Sequence, residues 1–212
     1  MAQRSKARLP ADPAAVQVVS ASADLWPDLQ DVFGTRGDPS RCWCQWFFEG
    51  AQVGPGELAA ANKEAFRAQV EAGPPPGVIA YLDAAPVGWA AVARRPVYAR
   101  LRRSAVLRGT SASSLEDDSV WSVTCFVVKA GARRRGVAAA LLRGAVDLAQ
   151  RGDASVIEAY PVDLERKSPA TSAELYHGVL STFLRAGFAE VSRPMPARPV
   201  VRLYLPDAGG RH

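Results

Sequence analysis

Apolar positions along this chain change their spacing from segment to segment, and each spacing implies an element. Residues 16–20 read as a strand, and residues 78–82 and 87–93 read as two strands of a hairpin across the turn residues 83–86. Helical spacing runs through 23–33, where Ser22 or Asp24 caps the start and Pro27 fits the first turn. It returns through 57–71 and stops at Gly73-Pro74-Pro75-Pro76; residues 34–40 between the two helices are a turn-rich break. In 96–109, Val97, Leu101 and Ala105 keep helical spacing, which predicts a short helix before a polar loop over 110–118. Val120–Val128 is an apolar, β-branched run and reads as a central strand. Beyond it come a helix over 137–150, with Val137, Leu141, Ala145 and Leu148 on one stripe, and a strand over 155–160 ended by Pro161. A helix over 171–186 and strands over 188–192 and 200–205 complete the pattern, which contains no internal repeat.

The junction between Val120–Val128 and the next helix is Arg133-Arg134-Arg135-Gly136-Val137-Ala138. A strand that ends in a basic, glycine-containing turn and restarts as a helix aims unpaired amides and the positive helix end at one point, where a phosphate or pyrophosphate fits. Gly136 keeps a Cβ out of that approach, and Ala138 keeps the first helical turn narrow. The glycine spacing is wrong for a dinucleotide fingerprint, and no Gly-Lys-Ser/Thr follows to make a P-loop.

With 212 residues, 48% of them hydrophobic, the chain can bury one full core, expected over 15–206. Residues 1–14 and 207–212 read as a disordered arm and a flexible tail. No long uncharged apolar stretch is present, and Arg4, Lys6 and Arg8 have no hydrophobic region behind them, so neither a membrane span nor a secretory signal is expected. Three cysteines agree with a reducing compartment, and the expected location is cytoplasmic. A net charge of +5 and a pI near 9.4 suit an anionic ligand. They would also suit nucleic acid, but the cations are not massed with aromatic residues, and nucleic acid is not the expected partner. A monomer and a homodimer both remain open.

Arg133-x-x-Gly136-x-Ala138, preceded by Val128-Lys129-Ala130, resembles the acyl-CoA signature Arg/Gln-x-x-Gly-x-Gly/Ala of the GNAT superfamily of acyl-CoA-dependent N-acyltransferases. Phe183-Leu184-Arg185-Ala186-Gly187-Phe188 is similar to that family's second landmark, a helix closing in Gly-Phe before the last strands. The element order is similar too, with one extra short helix after the hairpin. The resemblance implies an α/β fold of the α+β type, a mixed, mostly antiparallel twisted sheet of about seven strands flanked by helices. Its central strands, Val120–Val128 and 155–160, would pair and then splay, with the thioester arm of coenzyme A in the gap. Implied as well is an N-acetyltransferase that moves an acetyl group from acetyl-CoA, without a metal, to a primary amine of a small molecule, peptide or protein through a direct ternary complex. The alternative is a GNAT-like module that binds acyl-CoA without catalysing transfer, as a sensor or partner.

By the same resemblance, Phe126, Val127 and Val128 line the donor, with the backbone of Phe126 and Val128 pairing to the pantetheine arm like an added strand. The amides of Arg134, Arg135, Gly136, Val137, Ala138 and Ala139 would hold the pyrophosphate, and Arg133 and Arg135 would add charge. Several family members carry a glutamate eleven residues before the signature arginine, where this chain has Ser122. The substitutes for a base are Glu158, a carboxylate in an otherwise apolar strand, and the cluster Glu116-Asp117-Asp118; Glu158 is preferred because such a group must face a polar cleft or solvent. The family's usual acid is a tyrosine where this chain has Phe183. Tyr176, two helical turns earlier, is the substitute acid or a cofactor contact, and Tyr160 is a second candidate. Cys42-Trp43-Cys44-Gln45-Trp46-Phe47-Phe48 falls in the segment that lines the acceptor pocket in that family. Trp43, Trp46 and Phe47, with Tyr160, are its candidate acceptor contacts, against the reading of the run as a hydrophobic plug. Cys42 and Cys44 lack companion ligands for a zinc site, since only His177 and His212 exist elsewhere, and Cys125 reads as core.

Overall fold

The computed structural model describes residues 16–48, 53–54 and 56–206. The expected arm 1–14 and tail 207–212 lie outside the described residues. In chain order the elements are β1 (Gln17–Ser20), α1 (Trp26–Phe33), α2 (Gly37–Cys42), α3 (Leu58–Ala72), β2 (Gly77–Leu82), β3 (Ala85–Arg94), α4 (Ala99–Arg102) and α5 (Ala112–Leu115). They continue with β4 (Val120–Val128), α6 (Val137–Arg151), β5 (Val156–Ala159), α7 (Ser172–Leu175), α8 (Leu180–Arg185), β6 (Ala189–Met195) and β7 (Arg198–Tyr204). The seven strands form one sheet in the order β1-β2-β3-β4-β5-β7-β6, antiparallel except for the β4–β5 pair.

The two-residue alternation of β2 sends Val78, Ala80 and Leu82 to one face and Ile79 to the other. The first face packs against α6, whose Leu141 and Leu142 are fully buried and stabilise the fold by roughly 1.5–3 kcal/mol apiece. Close approach of α6 depends on two glycines: a Cβ on Gly88 would meet Val137 at 2.9 Å, and one on Gly144 would meet Val18 at 2.4 Å. On the opposite face, α1 and α3 bring Leu29, Phe33, Phe66 and Val70 onto Ile79, Trp89 and Val127. A third cluster, built on Phe47, Tyr98, Leu101, Tyr160 and Val200, covers the β5–β7 end of the sheet.

Two irregularities of β4 matter for function. Ala91 pairs with Cys125 and Val92 with Val123, so Thr124 is an extra residue, a β-bulge that leaves its carbonyl out of the β3–β4 ladder. The bulge also resets which residues face α6: Trp121 and Val123 before it, Phe126 after it. Second, β4 pairs with β5 only from Val120↔Val156 to Val123↔Ala159, and beyond that point the strands part.

The chain itself enters this gap. Tyr176 accepts the Phe126 amide at 2.6 Å, Gly178 accepts the Val162 amide at 2.9 Å, and Leu180 donates back to Val162 at 2.9 Å. For that reason the single helix expected over 171–186 is two short ones: Gly178 breaks it at φ +79°, with Phe126 and Phe183 packed where its Cβ would stand. The placement of Tyr176 on one helical face with Phe183 falls with that helix. Three other expectations need correction. The break at 34–40 holds most of α2, the helix over 96–109 is α4 between two 3₁₀ turns, and the loop over 110–118 contains α5. In the last two segments Tyr98, Leu101, Val106, Leu107 and Leu115 are anchored in the third cluster, which outweighs their weak local spacing.

Candidate active site

At the β4–α6 junction, Arg134 (φ +60°) and Gly136 (φ +78°) turn the backbone through the left-handed region before α6 begins at Val137. The first backbone donor into the helical ladder is Ala140, which bonds Gly136 at 3.0 Å. The amides of residues 134–139 donate to no carbonyl among the described residues, and they sit at the positive end of a 15-residue helix. A Cβ at Gly136 would have nothing within 4 Å, and Arg133, Arg134, Arg135 and Ala138 are exposed. The junction is thus open, cationic and rich in unpaired donors, while buried Ala132 and Val137 fix it to the core. Arg133 Nε reaches the Val128 carbonyl at 3.4 Å, and Arg135 lies 3.9 Å from Asp83. Of the strand groups expected to meet a pantetheine arm, the Phe126 amide is already bonded to Tyr176.

Beside the bulge, on the α1–α3 side of β4, lies a cavity of about 550 Å³. Its walls come from α2 and the turn after it, from Thr124, Cys125 and Val127 of β4, and from Ala173, Glu174, Tyr176 and His177. His177 stands in this wall, and its Nδ1 is 3.0 Å from the Thr124 carbonyl that the bulge exposes. A carbonyl can only accept, so Nδ1 carries the proton and Nε2 keeps its lone pair. Nε2 has no partner among the described residues, and Phe47 packs on the ring at 5.5 Å. Burial, then the Arg198 charge, lowers the His177 pKa to about 4, which leaves the imidazole neutral at physiological pH. Tyr176, half-buried in the same wall, has its hydroxyl pKa raised by burial and next by the charge of Asp38, so it stays protonated. Of the candidate acceptor contacts, Trp46 and Phe47 line the cavity; Cys42, Cys44 and Cys125 line it too. Burial raises the pKa of Cys42 and of Cys44, which keeps both thiols protonated. Among the described residues no group of side chains is arranged to hold a metal ion.

Four sequence-based placements change. Glu158 does not face a cleft: it is fully buried and accepts from Arg95 at 3.2 Å, from Arg202 at 2.7 Å and from the Tyr160 hydroxyl at 2.6 Å. Ser122, also buried, bonds that hydroxyl at 2.9 Å, and burial followed by the Glu158 charge holds the Tyr160 pKa well above its ordinary value. Ser122, Glu158 and Tyr160 therefore form one closed network away from the cavity wall, and a carboxylate whose lone pairs serve two guanidinium groups has little left for a substrate proton. Arg95, fully buried, also donates to the Ser114 carbonyl, so the network clamps the α4–α5 segment onto β5 and β7. Trp43 is core, stacked on Phe33 at 4.7 Å and on Trp26 at 5.8 Å. Sequence reasoning missed His177 as a site residue. Being one of only two histidines and next to Tyr176 was a usable signal, hidden by the expected unbroken helix.

The family model described as the Acetyltransferase (GNAT) family matches residues 20–168. No curated protein matches the chain significantly. Among solved structures, a GCN5-related N-acetyltransferase from Kribbella flavida is 19% identical, with a TM-score of 0.51 over 92% of this chain and 100% of its own. The diaminobutyrate acetyltransferase EctA from Paenibacillus lautus, in complex with L-2,4-diaminobutyric acid and coenzyme A, is 13% identical, with a TM-score of 0.50 over 92% and 99%. A Pyrococcus horikoshii chain, 14% identical with a TM-score of 0.47, matches 90% of this chain and 48% of its own, so the present chain spans about half of that protein. At these identities the structural likeness is one of fold.

Proposed function

The chain belongs to the GNAT family of acetyltransferases, and from that premise we propose that it is an N-acetyltransferase that moves an acetyl group from acetyl-CoA to a primary amine through a direct ternary complex. The unpaired amides at the start of α6, with Arg133 and Arg135 beside them, suit the donor's diphosphate. The acceptor occupies the cavity on the other side of β4's end. One observation carries the reading: a neutral imidazole, its Nδ1 fixed on the bulge carbonyl and its Nε2 unpartnered, in the wall of that cavity.

A base with a pKa of about 4 cannot strip a free ammonium of pKa about 10, so the deprotonated fraction of the acceptor is the reactive species. Its nitrogen bonds to the thioester carbonyl carbon and becomes far more acidic, and His177 Nε2 takes the proton it now releases. As the carbon–sulfur bond breaks, the Tyr176 hydroxyl gives its proton to the departing sulfur, and exchange with water restores both side chains. Protonated Cys42 and Cys44 are poor nucleophiles, which favours direct transfer over an acyl-cysteine intermediate.

Thiol release from acetyl-CoA across a panel of primary amines tests this proposal; turnover that is absent with every amine, although acetyl-CoA binds, removes it. One observation favours the alternative of an acyl-CoA-binding module without transfer: the Phe126 amide is held by Tyr176, in the gap where a pantetheine arm would pair. Calorimetric binding of acetyl-CoA without thiol release is the result which that alternative expects.

A further inference from the structure

The charges along the cavity wall are unevenly committed. Glu174 is spent on Lys167 and on the helix cap at Thr171, and Asn62 on the Arg41 carbonyl at 2.8 Å. Arg41, Arg100 and Asp38 make no ion pair among the described residues. Arg100 lies over the ring of Trp46 at 4.7 Å, and Trp46, 61% exposed, marks the solvent rim. Between these groups the wall is apolar: Phe33, Phe47, Leu58 and Val127.

We infer that the acceptor is a small zwitterion, an amino-acid-like amine with a free carboxylate on an apolar frame. The inference rests on the reading of this cavity as the acceptor site. Asp38 lines the same cavity as Tyr176 and His177, and a negative group there suits the acceptor's ammonium. The two arginines then meet the carboxylate, which guanidinium groups bind with paired, charge-assisted hydrogen bonds. A plain alkylamine leaves both arginines without a counter-charge beside an apolar wall, and a polyamine adds repulsion. The N-terminus of a protein carries no carboxylate beside its amine. A volume of about 550 Å³ also falls in the small-molecule range.

The test compares leucine, phenylalanine and tryptophan with their amides and with the corresponding decarboxylated amines. KM is measured in acetyl-CoA turnover, and Kd by calorimetry on protein saturated with coenzyme A. At least one free amino acid should bind about tenfold or more tightly than its amide and its amine, and Arg41→Gln combined with Arg100→Gln should abolish that preference. Amides and amines that bind as well as every amino acid overturn the inference. A carboxylate preference in Kd without any turnover upholds it and removes the acetyl-transfer reading instead. A preference that survives the double substitution shows that the arginines do not read the carboxylate and overturns it.

Discussion

The cluster around Glu158 and the cavity around His177 both border β4, and they treat polar groups in opposite ways. In the first, a carboxylate, a phenol, a serine hydroxyl and the Arg95 guanidinium close on one another out of solvent, with the half-buried Arg202 sealing the edge. In the second, an imidazole has one nitrogen fixed and the other without a partner, beside arginines and an aspartate that make no ion pair among the described residues. A buried charge that is paired with an opposite one holds a structure together, whereas a polar group left open toward a cavity can act on a guest. Sequence alone favours Glu158 because a carboxylate in an apolar strand is conspicuous. Geometry favours His177.

Removing one member of the closed network should give the largest effect, and on stability. Glu158→Gln leaves Arg95, which is fully buried, and Arg202 without their counter-charge; breaking such a pair costs about 3–5 kcal/mol. Urea unfolding should show that loss, while kcat per folded molecule stays near wild type. A collapse of kcat at unchanged stability would return Glu158 to the chemistry and reverse the comparison.

On the open side, His177→Gln should lower kcat by about a hundredfold, the low end of acid–base effects, as befits so weak a base. Tyr176→Phe should cost less, about tenfold, because a thiolate leaving group with a pKa near 8.5 needs only modest help. Steady-state kinetics on the two variants and their double mutant separates the roles. If both act on one transition state the losses are less than additive, and full additivity would point to independent, structural effects.

Much of the fold was legible in the sequence, because β4 and α6 carry strong, unbroken periodicity and the Arg133 to Ala138 turn falls between them. The open turn proposed for the donor is local chain geometry, so its shape was legible as well. The cavity proposed for the acceptor was not, because it depends on contacts between distant segments. The Thr124 bulge exists only in register with β3, and His177 reaches it only because Gly178 breaks the expected helix. Nothing in the sequence around Glu158 announces Arg95 and Arg202, which come from segments on either side of it in the chain and meet it through the sheet and the α4–α5 clamp. Trp43 and Trp46 show the same limit: adjacent aromatic positions in one run, one stacked in the core and the other on the rim of the cavity.

A pH dependence of stability separates the two regions without any substrate. His177 has a folded pKa of about 4, below its ordinary 6.5. Between those values the unfolded chain binds a proton that the folded chain refuses, so stability is full above pH 6.5 and falls as pH drops toward 4. The carboxylates whose pKa is lowered by their partners, Asp117, Asp163, Glu174 and Glu190, lose stability in the same direction, but only as pH falls below their ordinary values of 3.8 to 4.5. The stretch from 6.5 down to about 4.5 therefore belongs to the imidazole. Thermal unfolding followed at half-unit steps should show Tm declining across that stretch in the wild type and staying flat in His177→Gln, with Glu158→Gln keeping the wild-type slope from a lower plateau. A wild-type Tm with no slope there would mean that His177 takes up its proton normally, and with that the claim of a neutral imidazole held on the bulge would fail.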